Sequence, residues 1–389
     1  MADGPLVGFR ILDLTAVISG PYCTQLLGDL GADVIKIEPP EGDSMRQLLR
    51  PAKNGFGAQF LNFNRNKRSI VIDAKKEQGR DLIRRLAVKA DALVENNRPG
   101  VADRLGLGYA DLRRSNPKIV YCSICGYGPK GRLANNPAYD PVIQGYSGVA
   151  AIQGGKTGQP SAVKMALADK ISGMTAALAV VSALHAARAR GVGQQIRVPM
   201  LEAMISFTSN DSMAGYTFLP HDEYKHLAPK ALTLDPFKTK DGWITIAAFT
   251  EVQNERLCAA VGHPEWWAVA DKIERGRSML RNIAKLFLER TSAEWLKIIE
   301  AADIPCGPVH TYETLFEDEE IIANETFQVY EHPECGPVRM PAPGARFGAT
   351  PMKMWRVPPK LGEQTDEILR EAGIDKSQVE ELRAGKVIV

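Results

Sequence analysis

Between residues 9 and 198, short apolar runs alternate with amphipathic helical stretches, and this alternation constrains the fold more than any other feature of the chain. The runs are 9–14 (FRILDL), 33–38 (DVIKIE), 69–73 (SIVID), 92–95 (ALVE), 119–124 (IVYCSI) and 195–198 (QIRV). Each has strand length, and Gly8, Pro39, Asn96 and Pro199 bound four of them. Between the third and fourth, residues 75–89 place Leu82, Ile83 and Leu86 on one helical stripe. Strands joined by helices predict an α/β fold with a mostly parallel, Rossmann-like sheet covered on both faces. Ligands of such sheets bind beyond the C-terminal strand ends. Those ends carry polar or Gly-rich turns here, at 15–20, 96–100 and 126–131.

The later chain changes character. Pro199 opens a helix through Leu201, Met204 and Phe207, and the pattern then weakens from 209 to 230. Asp241-Gly242 between the runs 236–240 and 243–248 is a hairpin signal. Helices are predicted at 251–261 and 278–290, and Thr291 with Glu294 has capping-box spacing ahead of Trp295. Short strands are expected at 306–309, 327–330 and 338–340. The Pro- and Gly-rich stretch 341–359 reads as extended, followed by helices at 365–371 and 376–383. The expected domains are 1–208, a large α/β domain; 209–233, a linker; 234–332, a small α+β domain; and 333–389, a return segment with C-terminal helices on the large domain or on a partner subunit.

Residues 167–202 hold the longest helical pattern. Ile171, Met174, Leu178, Val181 and Leu184 form a stripe, and Ala176, Ala177, Ala179 and Ala183 extend it around the helix. A helix apolar nearly all round is expected to be buried. Arg188 and Arg190 suit its C-terminal end and Gly191 its stop. Asp169 stands where this helix begins. It reads either as an N-cap, accepting the first free N–H groups, or as a carboxylate nucleophile at the mouth of a pocket. In either case a helix N-terminus is expected to favour its ionised form.

Composition narrows the function classes. Lys plus Arg is 48 against Asp plus Glu at 46, a net charge of +2, which argues against nucleic-acid binding driven by overall charge. No apolar run is read as reaching the ~18 residues of a membrane span, and the first residues lack a signal-peptide pattern. The six cysteines are scattered, so a reducing, cytoplasmic setting is expected. Residues 152–157 (IQGGKT) end like a phosphate-binding loop, but Ala150 occupies the position of its first Gly. Gly106-Leu-Gly108 lacks the third Gly of a dinucleotide fingerprint. Cys122 and Cys125 fall on opposite faces of a strand and read as buried structural thiols, with no second pair to complete a zinc site. The six His form no metal-binding spacing, and no nucleophile elbow is present. Residues 64–69 (NRNKRS) read as a solvated loop or as a phosphate-recognition turn, the latter aided by Lys75, Lys76, Arg98 and Arg104 near strand ends.

A set of segments in order adds a resemblance. GADVIKIE at 31–38, NRNKRS at 64–69, VENNRPG at 94–100, NPKIVYCSICGYG at 116–128, YDPVIQGYSG at 139–148, LADKISG at 167–173, GVGQQI at 191–196, IPCGPV at 304–309 and LGEQTDEIL at 361–369 together resemble a class III CoA-transferase. That family includes formyl-CoA and carnitine CoA-transferases. The resemblance implies a homodimer of interlocked ring-like subunits and catalysis by Asp169. The aspartate would attack an acyl-CoA to give a mixed anhydride, and CoA thiolate would return to form an aspartyl-CoA thioester that an acceptor acid resolves. It further implies CoA contacts at Val17, Lys75, Asn96, Arg104 and Tyr139, with Lys75 and Arg104 suited to the phosphates. Acyl-CoA and a carboxylic acid are the implied substrates; no permanently bound cofactor, metal, nucleic acid or membrane is expected.

The sequence departs from the formyl-CoA pattern. Ile18 replaces a Gln, Pro39 replaces an Arg at the adenine end, and the glycine-rich loop expected after Gly215 is missing. These departures point away from oxalate and formate, toward a dicarboxylic or branched acid. α-Methylacyl-CoA racemases share the fold but carry a His where Tyr139 stands. A racemase-like isomerase and a non-catalytic CoA-binding protein are the alternative readings.

Overall fold

The alternating runs assemble into a single parallel sheet. The computed structural model describes residues 3–48, 51–155, 158–224 and 235–389. Its main strands are β1 (Arg10–Leu14), β2 (Asp33–Glu38), β3 (Lys67–Val71), β4 (Ala92–Glu95), β5 (Val120–Cys125) and β6 (Gln195–Pro199). They lie in the order β3-β2-β1-β4-β5-β6, every neighbouring pair parallel. This is the doubly wound order, in which the chain reverses direction of travel between β1 and β4.

Alternate side chains feed two cores. On one face Ile11, Val34, Val94, Val120 and Cys122 pack beneath α1 (Ser19–Asp29) and the long helix within 167–190. On the other, Leu12, Ile35, Ile70, Leu93 and Tyr121 pack beneath α2 (Glu77–Val88) and the C-terminal helices. Strands buried on both faces read as continuous apolar runs, which is why they were visible in the sequence. Following in chain order are α3 (Asp140–Tyr146), α4 (Leu167–Arg190), α5 (Met200–Ser212), α6 (Thr365–Ala372) and α7 (Lys376–Ala384). Pro199 is the N-cap of α5 rather than its first residue, and α5 continues through Ser212, past the expected start of a linker.

The chain divides into two compact units, 1–214 with 326–389, and 215–325. The boundary differs from the expected 332 because Phe327–His332 pairs antiparallel with Gly336–Pro341, placing both strands in the large unit. The expected linker 209–233 and the start of the second domain fall partly on 225–234, outside the described residues. In the small unit, Trp243–Ile246 is flanked by Cys306–Pro308 and Phe237–Lys238 in an antiparallel sheet. A hairpin forms as expected, but with Lys238 opposite Trp243 and Thr239 bonded to Gly242, so Lys240-Asp241 rather than Asp241-Gly242 make its tip; the Thr291–Glu294 capping box forms. Helix Lys272–Leu286 starts six residues ahead of expectation, because the Asp271 side chain accepts the Glu274 N–H and caps it. Ile244, Phe287, Trp295 and Ile299 form this unit's own core.

The return segment goes back to the large unit. Asn66 Oδ1 accepts the N–H groups of Trp355 and Arg356 at 2.8 and 3.0 Å. Arg46 donates to the Pro359 carbonyl, and Ile388 bridges Ile72 at the sheet edge.

Neither expected reading of residues 64–69 holds. Arg65, Asn66, Lys67 and Arg68 are buried and already paired. Arg65 forks onto Asp29 at 2.9 and 2.7 Å. Lys67 reaches Asp13 Oδ2 at 2.9 Å, and Arg68 joins Asp33 to Glu367 and Glu371 of α6. Cations this deep must be neutralised by carboxylates, and those carboxylates come from segments 30 to 300 residues away.

α4 also departs from expectation. Ile171, Gly173, Ala176, Ala177, Val180 and Leu184 are buried, whereas Met174 and Leu178 are 55% and 70% exposed. One side packs against α1 and the sheet and the other carries apolar groups outward. By length and composition α4 could cross a bilayer, contrary to the reading from apolar runs. Its packed side makes it a core helix of this fold.

Candidate active site

The loop after β1 is held from below by buried charge. Asp13 Oδ1 accepts the Thr15 N–H at 2.9 Å and the Thr15 hydroxyl at 2.5 Å. Lys36 donates to the Thr15 carbonyl at 2.9 Å and pairs with Asp43 at 3.0 Å. Burial opposes ionisation of Asp13, but the charges of Lys67 and Lys36 and the hydroxyls of Thr15 and Thr24 prevail and hold its pKa at about 2. Asn96, just past β4, closes the loop from the side. Its Oδ1 accepts the Ala16 N–H at 2.9 Å and its Nδ2 donates to the Ala16 carbonyl at 2.8 Å. Val17 follows with φ +71. A β-branched residue in that region is strained by about 1–3 kcal/mol and persists only where its neighbours over-determine it. Asn96, Asp43 and Asp13 do so here.

α1 starts at Ser19, two residues beyond the strained Val17, and the N-terminus of α4 lies against it. Asp169 is the third residue of α4, not its cap; Ala166 takes the cap position and has no side-chain acceptor. The Asp169 N–H donates instead to Asp140 Oδ2 at 3.1 Å. The Asp169 carboxylate accepts the Ser19 hydroxyl. Burial, then the neighbouring Asp140 charge, push the Asp169 pKa up to about 7, against the pull of Ser19. The expected stabilisation of its anion by the helix N-terminus is therefore outweighed by desolvation. Near pH 7 the acid and the carboxylate coexist.

Gly173 permits this approach of α1 to α4, since a Cβ there would lie 2.6 Å from the Ser19 carbonyl oxygen. Gly173→Val is expected to force the helices apart, cost about 1–3 kcal/mol in urea unfolding and break the Ser19–Asp169 hydrogen bond. An unchanged unfolding midpoint would show that the close approach carries no such constraint.

Leu14, Val17, Ser19, Asn96, Arg98, Tyr139 and Asp169 line a common cleft of about 230 Å³. It opens between the ends of β1 and β4, the switch point of the sheet, where open α/β sheets bind ligands. Of the six residues expected to act, Val17, Asn96, Tyr139 and Asp169 meet here. The Asn96 amide is committed to the Ala16 backbone, so it shapes the cleft rather than offering free donors. Lys75 and Arg104 do not line the cleft. Both are exposed, Lys75 lying 3.7 Å from Glu41 and Arg104 ending the short helix Val101–Arg104. Ser19 and Asp140 were missed as site residues, and Arg98 was read only as a cation near a strand end that would aid phosphate recognition. The one local signal was Asp140-Pro141 at a helix start; the rest needed the fold.

Cys125 corrects another expectation. It does face opposite to Cys122, but it lines the cleft instead of being buried, with its Sγ donating to the Tyr127 carbonyl at 3.2 Å. Burial still pushes its pKa up to about 11, so it is not a ready thiolate. Lys156 and Thr157 of the loop-like 152–157 segment lie outside the described residues. Among the described residues, no cluster of His, Cys, Asp or Glu could hold a metal ion.

A doubly wound sheet with an acid of raised pKa in its switch-point cleft has the form of an α/β enzyme that binds a small-molecule substrate beyond the strand ends. The comparisons make the class specific. The succinyl-CoA:glutarate CoA-transferase of Mus musculus is 32% identical over 397 residues, covering 99% of this chain and 90% of its own. The formyl-CoA:oxalate CoA-transferase of Afipia carboxidovorans is 32% identical, covering 97% of this chain and 96% of its own. A crystal structure of a CAIB/BAIF family protein from Brucella suis superposes with a TM-score of 0.83 at 29% identity, over 95% of this chain and 100% of that one. The sequence pattern of CoA-transferase family III matches residues 6–365, and the chain belongs to that family, the class III CoA-transferases (EC 2.8.3).

Proposed function

We propose that this enzyme moves CoA from an acyl-CoA donor to a carboxylic acid through covalent intermediates on Asp169. Asp169 attacks the thioester carbonyl; the carbon–sulfur bond breaks and the CoA thiolate leaves with the electron pair. The thiolate then attacks the aspartyl carbonyl of the mixed anhydride and the donor acid departs as carboxylate. The acceptor carboxylate attacks the resulting aspartyl-CoA thioester, and the same steps in reverse give the new acyl-CoA and free Asp169. One thioester replaces another, so no external energy is required. The observation that carries this reading is a half-buried carboxyl with its pKa near neutrality, aimed into the switch-point cleft beside the strained Val17 backbone. A desolvated carboxylate is a stronger nucleophile than one in water.

In this reading Val17, Asn96 and Tyr139 shape the thioester end of the CoA site, and the exposed cations Lys75 and Arg104 meet its phosphates. The acceptor is a dicarboxylic acid or a branched acid. Support comes from the departures at Ile18 and Pro39, which point away from oxalate and formate, and from the name of the succinyl-CoA:glutarate relative, which pairs an acyl-CoA with a dicarboxylate. The active form is an interlocked homodimer; the apolar groups that α4 and α5 turn outward, Met174, Leu178 and Phe207, supply a face for it.

The test is chemical trapping. Incubation with a panel of CoA thioesters, succinyl-CoA first, followed by hydroxylamine, should convert Asp169 to its hydroxamate in a peptide map, and added glutarate should release new acyl-CoA. Solvent deuterium appearing at the acyl α-carbon without transfer would replace this reading with isomerisation. CoA binding with no exchange to any acid would replace it with a binding protein.

A further inference from the structure

Among the described residues, Asp140 is the one carboxylate hydrogen-bonded to the Asp169 backbone, and the reaction above does not use it. It is 7% exposed and sits at the start of α3, 29 residues before Asp169. Its two oxygens are both engaged. Oδ2 accepts the Asp169 N–H at 3.1 Å, filling the cap position that Ala166 leaves vacant. Oδ1 accepts from Gln144 Nε2 at 2.5 Å. Gln144 in turn donates to the Met165 carbonyl at 3.1 Å and accepts the Val163 N–H at 2.8 Å. Asp140 and Gln144 thus fasten α3 to the segment that leads into α4 and set where Asp169 stands.

We propose that Asp140 is a positioning residue that also biases the reaction, its negative charge favouring the acylated, uncharged Asp169 over the free carboxylate. This rests on Asp169 being the nucleophile. When Asp169 attacks, the new oxygen–carbon bond consumes its negative charge, and that charge leaves with the CoA sulfur. The repulsion from Asp140 is present before the attack and absent from the ester-like product, so it lowers the free-energy rise to the anhydride. Among the described residues, no group forms an ion pair with Asp169. Ser19 from α1 donates a hydroxyl, and Tyr139, Arg98 and Cys125 line the same cleft without a hydrogen bond to the carboxyl. On α4 itself, Lys170 Nζ turns away to the Met165 sulfur at 3.6 Å. Helix capping by aspartate is common, but capping from another helix onto the N–H of a reactive residue couples the cap's charge to the chemistry.

Asp140→Asn removes the charge and keeps one acceptor for the Asp169 N–H at the cost of the Gln144 hydrogen bond, and Gln144→Ala, which loses that bond with the Asp140 charge intact, is the control that should leave the titration midpoint in place. The readout is the infrared carboxyl band that disappears in Asp169→Asn, followed against pH in the unliganded full chain. In the wild type its midpoint is expected near 7, and in Asp140→Asn about one pH unit lower. Asp140→Ala should lower the midpoint similarly and also lower the urea-unfolding midpoint, because the cap is lost. In the hydroxylamine assay, Asp140→Asn should trap several-fold less acyl-enzyme than the wild type. A midpoint unmoved by Asp140→Asn overturns the inference while leaving Asp169 as nucleophile. Absence of any label on wild-type Asp169 overturns the nucleophile assignment and with it the bias, whatever the infrared midpoints.

Discussion

Asp169→Asn is expected to lower CoA transfer by at least ~10⁴-fold, since the proposed covalent route would be lost and neither binding nor the neighbouring backbone would replace it. Steady-state assay of purified enzyme with the best donor and acceptor checks this, and turnover within ~10-fold of wild type would refute the assignment. The wild type carries a companion signature. Its kcat/KM should climb from pH 6 to 8 and level off, because the proposed attacking form is the carboxylate and the carboxyl loses its proton near 7. Stability should run the opposite way. The folded protein holds the Asp169 proton more tightly than the unfolded chain, whose Asp titrates near ~4. The stabilisation from this group is complete below ~4 and disappears as pH rises through about 7. Asp169→Asn escapes that loss. Its stability relative to wild type should grow between pH 4 and 7 and then hold constant, by no more than ~4 kcal/mol. A difference that stays flat with pH would place the Asp169 pKa near its ordinary value.

The second large effect concerns a residue that never touches the cleft. Lys67→Met should cost about 3–5 kcal/mol in urea unfolding. Lys67 is fully buried and donates to Asp13 at 2.9 Å, the Pro21 carbonyl at 3.0 Å and Asn64 at 2.9 Å. Burial pulls its pKa down to about 8 although the Asp13 charge pulls upward, so the ion pair is formed at neutral pH under strain from desolvation. Removing the cation leaves Asp13 beside Lys36 alone. Because Asp13 fixes Thr15, the substitution should also release the Val17 loop and reduce activity. Adding Asp13→Asn to Lys67→Met should recover part of the stability by removing the unpaired charge. A loss under ~1 kcal/mol for the single variant would show that the buried pair is not needed to hold the loop.

Much of the fold was legible because it depends on near neighbours in sequence. The β2 and β4 bounds matched, and a hairpin near Asp241-Gly242 and the Thr291 capping box formed, since turn chemistry and short apolar runs act locally. The first turn of Lys272–Leu286 was missed because a single side chain, Asp271, decided it. Residues 64–69 were misread for a different reason. A run of Arg, Asn and Lys looks solvated until Asp13, Asp29 and Asp33 are brought to it by the pairing of β1, β2 and β3. α4 misled similarly: its apolar surface is uniform in sequence, and packing on one side alone leaves Met174 and Leu178 outward.

The sequence by itself determined the α/β alternation, the strand ends where a ligand would lie, the family through its ordered segments, and Asp169 as the residue to watch. Only the tertiary structure decided what Asp169 is like. A helix N-terminus considered alone favours the anion, but burial against α1 and the charge of Asp140 on α3 outweigh it and bring the pKa to about 7. Likewise Asn96 became a clamp on Ala16, Val17 a strained corner and Ser19 a hydrogen-bond donor only when β1 and β4 were placed side by side. Desolvation and through-space charge depend on what surrounds a group, and those surroundings come from segments far apart in the chain.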